Sequence, residues 1–170
     1  FGHCMKLLWT DKLGQISLAV TTLFWGAGAT LQFIVLKWAE AALDFPLSKA
    51  AQLQGVVALG IAVGAVMAAR LVSLRQSVNV IPLGIAMGIV VMAMIVVRDL
   101  WVAIGLLMLI GGLAGFFVVP MNALLQHRGH ILMGAGHSIA VQNFNENLSI
   151  LTMLALYAVL VSLDVHVNTV

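Results

Sequence analysis

Residues 100–125 read LWVAIGLLMLIGGLAGFFVVPMNALL and contain no aspartate, glutamate, lysine or arginine. About twenty predominantly apolar residues in an α-helix are enough to cross the roughly 30 Å hydrocarbon core of a bilayer. This stretch meets that requirement, so it predicts a transmembrane helix.

The composition of the whole chain agrees with a membrane environment. Of the 170 residues, 62% are hydrophobic and only 8% are charged, whereas soluble domains carry about 25% charged residues. A soluble domain of this size buries only about 70% of its chain surface, so the remainder would expose leucine, valine, isoleucine and alanine to water. We therefore expect an all-α membrane protein with no soluble domain of any size.

Four further apolar stretches flank residues 100–125. The predicted spans cover residues 13–38, 50–72, 78–97, 100–125 and 137–163, preceded by a segment at residues 1–12 and followed by a short tail at residues 164–170. The connections are short, and the charged residues concentrate in them. This pattern is typical of a helical bundle with about five transmembrane helices.

The distribution of basic residues predicts the orientation of the bundle. The N-terminal segment and the connections on its side hold five basic residues, and the opposite side holds three: Lys6, Lys12, Arg70, Arg75 and Arg128 against Lys37, Lys49 and Arg98. Cytoplasmic loops carry an excess of lysine and arginine. We therefore expect a cytoplasmic N-terminus, with Val170 on the far side of the membrane.

Sequence motifs of enzymes and of nucleic-acid binding are absent from the chain. There is no HExxH, phosphate loop or Gly-x-Ser-x-Gly motif, and a net charge of +2 with dispersed basic residues does not indicate a nucleic-acid partner. His127 and His130 have a metal-ligand spacing, but no carboxylate or thiol accompanies them. We interpret them, with Arg128, as a solvated loop, and expect no catalytic residue, metal or cofactor.

The fifth predicted span contains a run of amide and carboxylate side chains between Gln142 and Asn147. An acidic residue at the centre of a membrane helix costs about 2.5–3.5 kcal/mol on insertion scales, so the run needs water or polar partners. Five polar residues of this span recur with the helical period and share one face: Ser138, Gln142, Asn145, Glu146 and Ser149. We expect this face, flanked by Asn143, to line a substrate path, with Gln142, Asn143, Asn145 and Glu146 as candidates.

Two alternatives remain open for the polar run. In the first, the helix begins near Leu148 and the run is a cytoplasmic loop, although residues 148–163 are short for a span. In the second, the polar side chains only form hydrogen bonds between helices and contact no ligand.

Weaker signals lie in the other spans. Thr21, Trp25, Gly28 and Gln32 share one face of the first span, so Gln32 and Trp25 are further candidates for the path, although ordinary packing also explains Trp25. Glycines four residues apart allow helices to approach closely, and they form the pairs Gly60 and Gly64, Gly84 and Gly88, and Gly111 and Gly115.

Two residues late in the fourth span are further candidates for packing or gating positions. Pro120 removes a backbone hydrogen bond and is expected to kink the helix. Asn122 is expected to serve as a cap or a gate contact. Together with Gly111 and Gly115, these residues are the candidates from this span.

Three stretches resemble the bacterial lysophospholipid transporters of the major facilitator superfamily. Ser17–Leu31 (SLAVTTLFWGAGATL) is similar to the start of that family's seventh helix. Leu107–Gly129 resembles the tenth helix and its following loop, and Gly134–Asn147 resembles the eleventh. The resemblance implies part of a C-terminal six-helix bundle, helices seven to eleven, with the N-terminal half and the twelfth helix outside this sequence.

The resemblance also implies a function and its partners. It implies alternating-access transport of lysophospholipids, chiefly lysophosphatidylethanolamine, across the bacterial inner membrane towards the cytoplasm. The implied partners are the lysophospholipid, the lipid bilayer, the N-terminal half of the transporter and an acyltransferase/acyl-carrier-protein synthetase. A permease for a drug or another amphiphile and a non-transporting membrane subunit or fragment remain as alternatives.

The sequence departs from the family pattern at two places. Gln32 stands where the family frequently has a basic residue, and glutamine can form hydrogen bonds with a headgroup but offers it no positive charge. Residues 64–75, which include Arg70, resemble a degenerate form of the superfamily's gating-loop motif. The acidic residue of that motif is missing from them. Arg70 is therefore a further candidate for gating.

Overall fold

A computed structural model describes residues 2–163 of the chain. The α-helices within that range are α1 (Gly2–Thr10), α2 (Lys12–Leu43), α3 (Leu47–Leu71), α4 (Ile81–Ala93), α5 (Leu100–Met133) and α6 (Ala135–Ser162). A 3₁₀ helix at Leu74–Val80 precedes α4, and another at Met94–Val96 follows it. The predicted tail at residues 164–170, with Val170, lies outside the described residues.

Five of the helical segments described are long and apolar enough to cross a membrane. They are Lys12–Leu43, Leu47–Leu71, Leu74–Val96, Leu100–Met133 and Ala135–Ser162. The prediction of an all-α membrane protein with about five spans is confirmed.

The helix breaks follow local chemistry. Asp44 has a φ of 53° directly after α2, and Pro46, which has no backbone N–H to donate, precedes α3. At the start of α5, Asp99 Oδ1 accepts hydrogen bonds from the backbone N–H groups of Trp101 at 2.9 Å and Val102 at 3.1 Å. This capping carboxylate satisfies two donors that the helix itself leaves free.

The end of α5 differs from the sequence prediction. His127, Arg128 and His130 lie on the helix, which continues to Met133, so their assignment to a solvated loop was wrong. Hydropathy marks where a segment leaves the apolar layer, whereas helical hydrogen bonding continues until the backbone is interrupted. The interruption comes at Gly134, whose φ of 82° is one that side-chain-bearing residues rarely adopt.

The described chain forms two compact units. The first unit comprises residues 2–30 and 121–163, and the second unit comprises residues 31–120, so that α2 and α5 each contribute to both. The first unit has a small buried core of Leu8, Leu18, Leu125 and Val141. The second unit has a larger core, which includes Val35, Trp38, Leu53, Met94, Leu107 and Ile110.

Helices α3 and α5 approach each other closely inside the second unit. A Cβ atom at Gly64 would clash with the backbone carbonyl of Gly112, and one at Gly115 would clash with that of Ile61. Gly60 and Gly111 face the partner backbone in the same way. The four glycines therefore form one contact that excludes side chains, which is how membrane helices gain van der Waals packing without a hydrophobic effect between them.

The remaining glycine pair behaves differently. A Cβ atom at Gly84 would lie 3.2 Å from the ring of Phe117, and one at Gly88 would have no described atom within 4 Å. The four-residue spacing at this pair therefore does not mark a contact of two backbones.

Candidate functional site

The polar run lies inside α6, which begins at Ala135. The alternative in which the helix begins near Leu148 is therefore wrong. Ser138 and Gln142 are buried, and Asn145, Glu146 and Ser149 are half-buried, whereas Asn143 and Asn147 are exposed. The face that shares the helical period is thus the face that α6 turns towards the rest of the first unit, and Asn143 lies off it.

Gln142 is the centre of a hydrogen-bonded cluster between α6 and α5. Its Nε2 donates to Asn122 Oδ1 at 3.2 Å and to Glu146 Oε1 at 2.8 Å. Because both neighbours are acceptors, they fix the orientation of the amide. We call Asn122, Gln142 and Glu146 the amide cluster.

One atom of the amide cluster is buried without a partner. The side chain of Gln142 is only 6% exposed, and its Oε1 accepts no hydrogen bond from any group within residues 2–163. A buried acceptor that is left unpaired costs about 1–3 kcal/mol. The cluster therefore offers a free acceptor beside a carboxylate, an arrangement that suits a donor-rich, positively charged group.

Asn145 has a different role from its neighbours on this face. Its Nδ2 donates to the carbonyl of Val141 at 2.8 Å and contacts Met5 Sδ at 3.2 Å. The side chain therefore links α6 to α1. On the exposed side of α6, Asn147 Nδ2 donates to the carbonyl of Asn143 at 2.7 Å.

The two serines of the face lie at helix contacts. A Cβ atom at Gly129 on α5 would clash with the side chain of Ser138, and one at Gly26 on α2 would clash with Ser149 Oγ. Glycine at positions 26 and 129 therefore makes room for these hydroxyl groups. The amide cluster lies between them along α6.

Trp25 and Gln32 take no part in the hydrogen bonds of the amide cluster that the described residues form. Trp25, in the first unit, is 40% exposed, and its ring meets that of Phe24 edge-on, with centroids 5.8 Å apart. Gln32 belongs to the second unit, and its side chain is exposed. It contributes its backbone carbonyl, which accepts a hydrogen bond from Gln54 Nε2 at 2.9 Å.

The candidates for packing or gating occupy three different places in the structure. Gly111 and Gly115 lie in the contact between α3 and α5. Pro120 is buried inside α5, and Asn122 lies two residues further along the same helix. The interpretation of Asn122 as a helix cap was wrong, because the helix continues past it. Arg70 lies in the last turn of α3 and is exposed.

Sequence reasoning missed an ion pair in the first unit. Arg128 Nε donates to Asp11 Oδ2 at 3.1 Å, and a second guanidinium nitrogen, Nη2, contacts Oδ1. The backbone N–H of Gly14 also donates to Oδ2, at 2.7 Å. The hydrogen bond from Arg128 lowers the pKa of Asp11 below its ordinary value, although partial burial acts in the opposite direction.

The sequence held only a weak signal for this pair. The charge distribution predicts that the N-terminal segment and the connection after the fourth span lie on the same side of the membrane, and an ion pair between them is consistent with that prediction. The two residues are 117 positions apart, so no local pattern pairs them.

Curated proteins similar to this chain are named lysophospholipid transporter LplT. The protein from Klebsiella pneumoniae (strain 342) is 46% identical over 166 residues, which are 97% of this chain and 42% of that protein. The protein from Pectobacterium carotovorum subsp. carotovorum (strain PC1) is 45% identical over 168 residues, 98% of this chain and 41% of that protein. The protein from Yersinia pestis (strain Pestoides F) is 45% identical over 171 residues, 100% of this chain and 42% of that protein.

These matches confirm the resemblance that the sequence motifs indicated. The relatives are named as transporters rather than as enzymes. The chain spans about 42% of the length of the curated relatives it matches. No family model and no solved structure matches the chain.

Proposed function

We propose that this chain is part of a transporter that moves lysophospholipids across the bacterial inner membrane. The observation that carries the proposal is the 45–46% identity, over nearly the whole chain, with proteins named lysophospholipid transporters. The five apolar helices supply the membrane location that such a protein needs.

The amide cluster supports a role in recognising the headgroup. Lysophosphatidylethanolamine carries an ammonium group, which has three N–H donors and no acceptor. Gln142 Oε1 is buried and unpaired among the described residues, and the Glu146 carboxylate lies one helical turn away. An ammonium donating to both would satisfy the free acceptor and place its charge beside a carboxylate.

The position of Glu146 fits a site deep in the membrane. It lies eleven residues after Ala135, where α6 begins, or about 16 Å along the helix axis at 1.5 Å per residue. This is about half of the roughly 30 Å hydrocarbon core. Substrate sites near the midplane are characteristic of transporters built from helical repeats.

The remaining parts of the proposal come from the family resemblance. The chain would supply helices seven to eleven of a major facilitator bundle, with its N-terminus in the cytoplasm. An N-terminal half would complete the cavity, and the two halves would rock about it in alternating access. The lysophospholipid would then pass to an acyltransferase/acyl-carrier-protein synthetase for re-acylation.

The proposal is tested by substituting Glu146 in the full-length protein. Glu146→Ala should lower uptake of labelled lysophosphatidylethanolamine into cells or proteoliposomes at least tenfold at unchanged protein level. Glu146→Gln should show whether the charge itself is needed. Asn147→Ala is the matched control, because Asn147 neighbours Glu146 but is exposed on the other face of α6.

Two results would count against the proposal. Full uptake in both Glu146 variants would remove this residue from the mechanism. Transport of an unrelated amphiphile, with no competition by lysophosphatidylethanolamine, would favour the alternative of a permease for a different cargo.

A further inference from the structure

An apolar groove lies between α3, α4 and α5, entirely within the second unit. Its volume is about 430 Å³, and the side chains that line it include Val63, Met67, Leu83, Leu109, Leu113 and Phe116. The groove is open, because Val63, Met67 and Leu109 are still 47–54% exposed. A hydrocarbon chain is the kind of group that such an open apolar lining accommodates in a membrane.

The length of the groove is similar to half the thickness of the hydrocarbon core of a bilayer. On α5 the lining extends from Gly105 to Phe116, which lie eleven positions or about 16 Å of helix apart. Half of the roughly 30 Å hydrocarbon core is about 15 Å. Gly64 and Gly112, where α3 and α5 touch backbone to backbone, form part of the floor and leave space for an occupant.

Two arginines lie at one end of the groove. Arg70 follows the lining residue Met67 by three positions, about one turn of α3. Arg75 belongs to the 3₁₀ helix that leads directly into α4, whose third residue is the lining residue Leu83. Helix α5 runs parallel to α3 here, because Gly60 lies against Met108 and Gly64, further along α3, lies against Gly112 and Phe116. Phe116 therefore lies towards the same end of the groove as the two arginines.

No acidic side chain among residues 2–163 pairs with either of these arginines. Both side chains are exposed, and the ion pairs among residues 2–163 involve other basic residues, Lys37 and Arg128. The connection between α3 and α4 contains no aspartate or glutamate. Guanidinium groups bind phosphate through paired hydrogen bonds, so a phosphate group is the complementary partner.

We propose that the groove together with Arg70 and Arg75 binds an anionic diacyl phospholipid of the surrounding bilayer. One acyl chain lies along α3 and α5, and the phosphate group meets the two arginines at the membrane surface. Basic pockets between transmembrane helices bind anionic lipid headgroups in this way. The bound lipid is a resident of the membrane and not the transported cargo, so the inference does not depend on the proposed function.

Native mass spectrometry of the intact protein tests the headgroup contact. The protein is released from detergent micelles doped with phosphatidylglycerol or, in parallel, with phosphatidylcholine of the same acyl chains. Phosphatidylglycerol should be retained at least fivefold more than phosphatidylcholine. The double substitution R70Q/R75Q should remove that preference, whereas Arg98→Gln, an exposed arginine in the connection before α5, should leave it unchanged.

A second pair of variants tests the groove. Gly105→Phe should lower retention of phosphatidylglycerol at least fivefold, because Gly105 lines the groove and its Cβ position has no described atom within 4 Å. Gly88→Phe is the control, because it has equal space on α4 and lies outside the lining. Unchanged elution on size exclusion shows that each variant folds.

Three outcomes would overturn the inference. The first is equal retention of the two phospholipids by the unmodified protein. The second is unchanged retention in folded Gly105→Phe or R70Q/R75Q protein. The third is displacement of phosphatidylglycerol by equimolar lysophosphatidylethanolamine, which would assign the groove to the cargo instead.

Discussion

Asp11 and Arg128 form an ion pair that joins the residue between α1 and α2 to the last turns of α5. The side chain of Asp11 is 16% exposed and that of Arg128 is 29% exposed, so water screens the pair only in part. Within the first unit, this contact holds the C-terminal end of α1 next to the C-terminal end of α5.

Replacing the Asp11 carboxylate should destabilise the first unit. Asp11→Asn removes a charge-assisted hydrogen bond, and we expect a loss of about 1 kcal/mol in stability. Thermal unfolding in detergent at pH 7 measures it. Asp44→Asn, at an exposed carboxylate, is the control and should change little. Equal stability of the Asp11 variant and the unmodified protein would contradict the assignment.

The same pair should make stability depend on pH. The pKa of folded Asp11 lies below the ordinary value of 3.8 because Arg128 donates to it. The stabilisation is therefore complete above the unfolded pKa and is lost as the pH falls through the lowered folded pKa. Unfolding scans from pH 7 to pH 3 should show a smaller loss for Asp11→Asn than for the unmodified protein. Parallel curves would show that other carboxylates account for the acid sensitivity.

Removing the central donor of the amide cluster should impair both transport and stability. Gln142→Met leaves Asn122 Oδ1 and Glu146 Oε1 without the amide that donates to them, at an expected cost of about 1–3 kcal/mol. Under the proposed function, lysophosphatidylethanolamine uptake should fall at least tenfold. Gln126→Met, at an exposed amide on α5, is the matched control. Unimpaired uptake by a folded Gln142→Met protein would exclude this amide from the substrate path.

Features that depend on neighbouring residues along the chain were predictable from the sequence. Hydropathy identified the five spans, and the helical period identified the face of α6 that contains Gln142 and Glu146. The partners of these residues were not predictable. Asn122 lies 20 positions from Gln142 on another helix, and Asp11 lies 117 from Arg128. Such pairs form only when the helices pack against each other, and the packing arrangement cannot be inferred from a single sequence.

The glycine contact between α3 and α5 predicts opposite effects at two glycines of one helix. Gly64→Ala places a methyl group against the backbone carbonyl of Gly112, which cannot rotate away, and should destabilise the protein by about 1–3 kcal/mol. Gly55→Ala has no described atom within 4 Å of its Cβ and should be neutral or stabilising by up to about 1 kcal/mol, because alanine favours helix. Apparent melting temperatures in detergent distinguish the two. Similar shifts at both positions would contradict the close approach.

A compensating pair tests the contact of α5 with α6 beside the Asp11–Arg128 ion pair. Gly129→Ala brings a methyl group against both Oγ and Cβ of Ser138. A rotamer change moves Oγ away, but Cβ is fixed to the backbone, so the helices must separate, and we expect a loss of about 1–3 kcal/mol. Ser138→Gly removes both atoms at a cost of about 1 kcal/mol for glycine inside a helix. Because the clash exists only when both side chains are present, the double variant should be more stable than the sum of the single losses predicts. Additivity of the two effects within about 0.5 kcal/mol in thermal unfolding would mean that the residues do not touch.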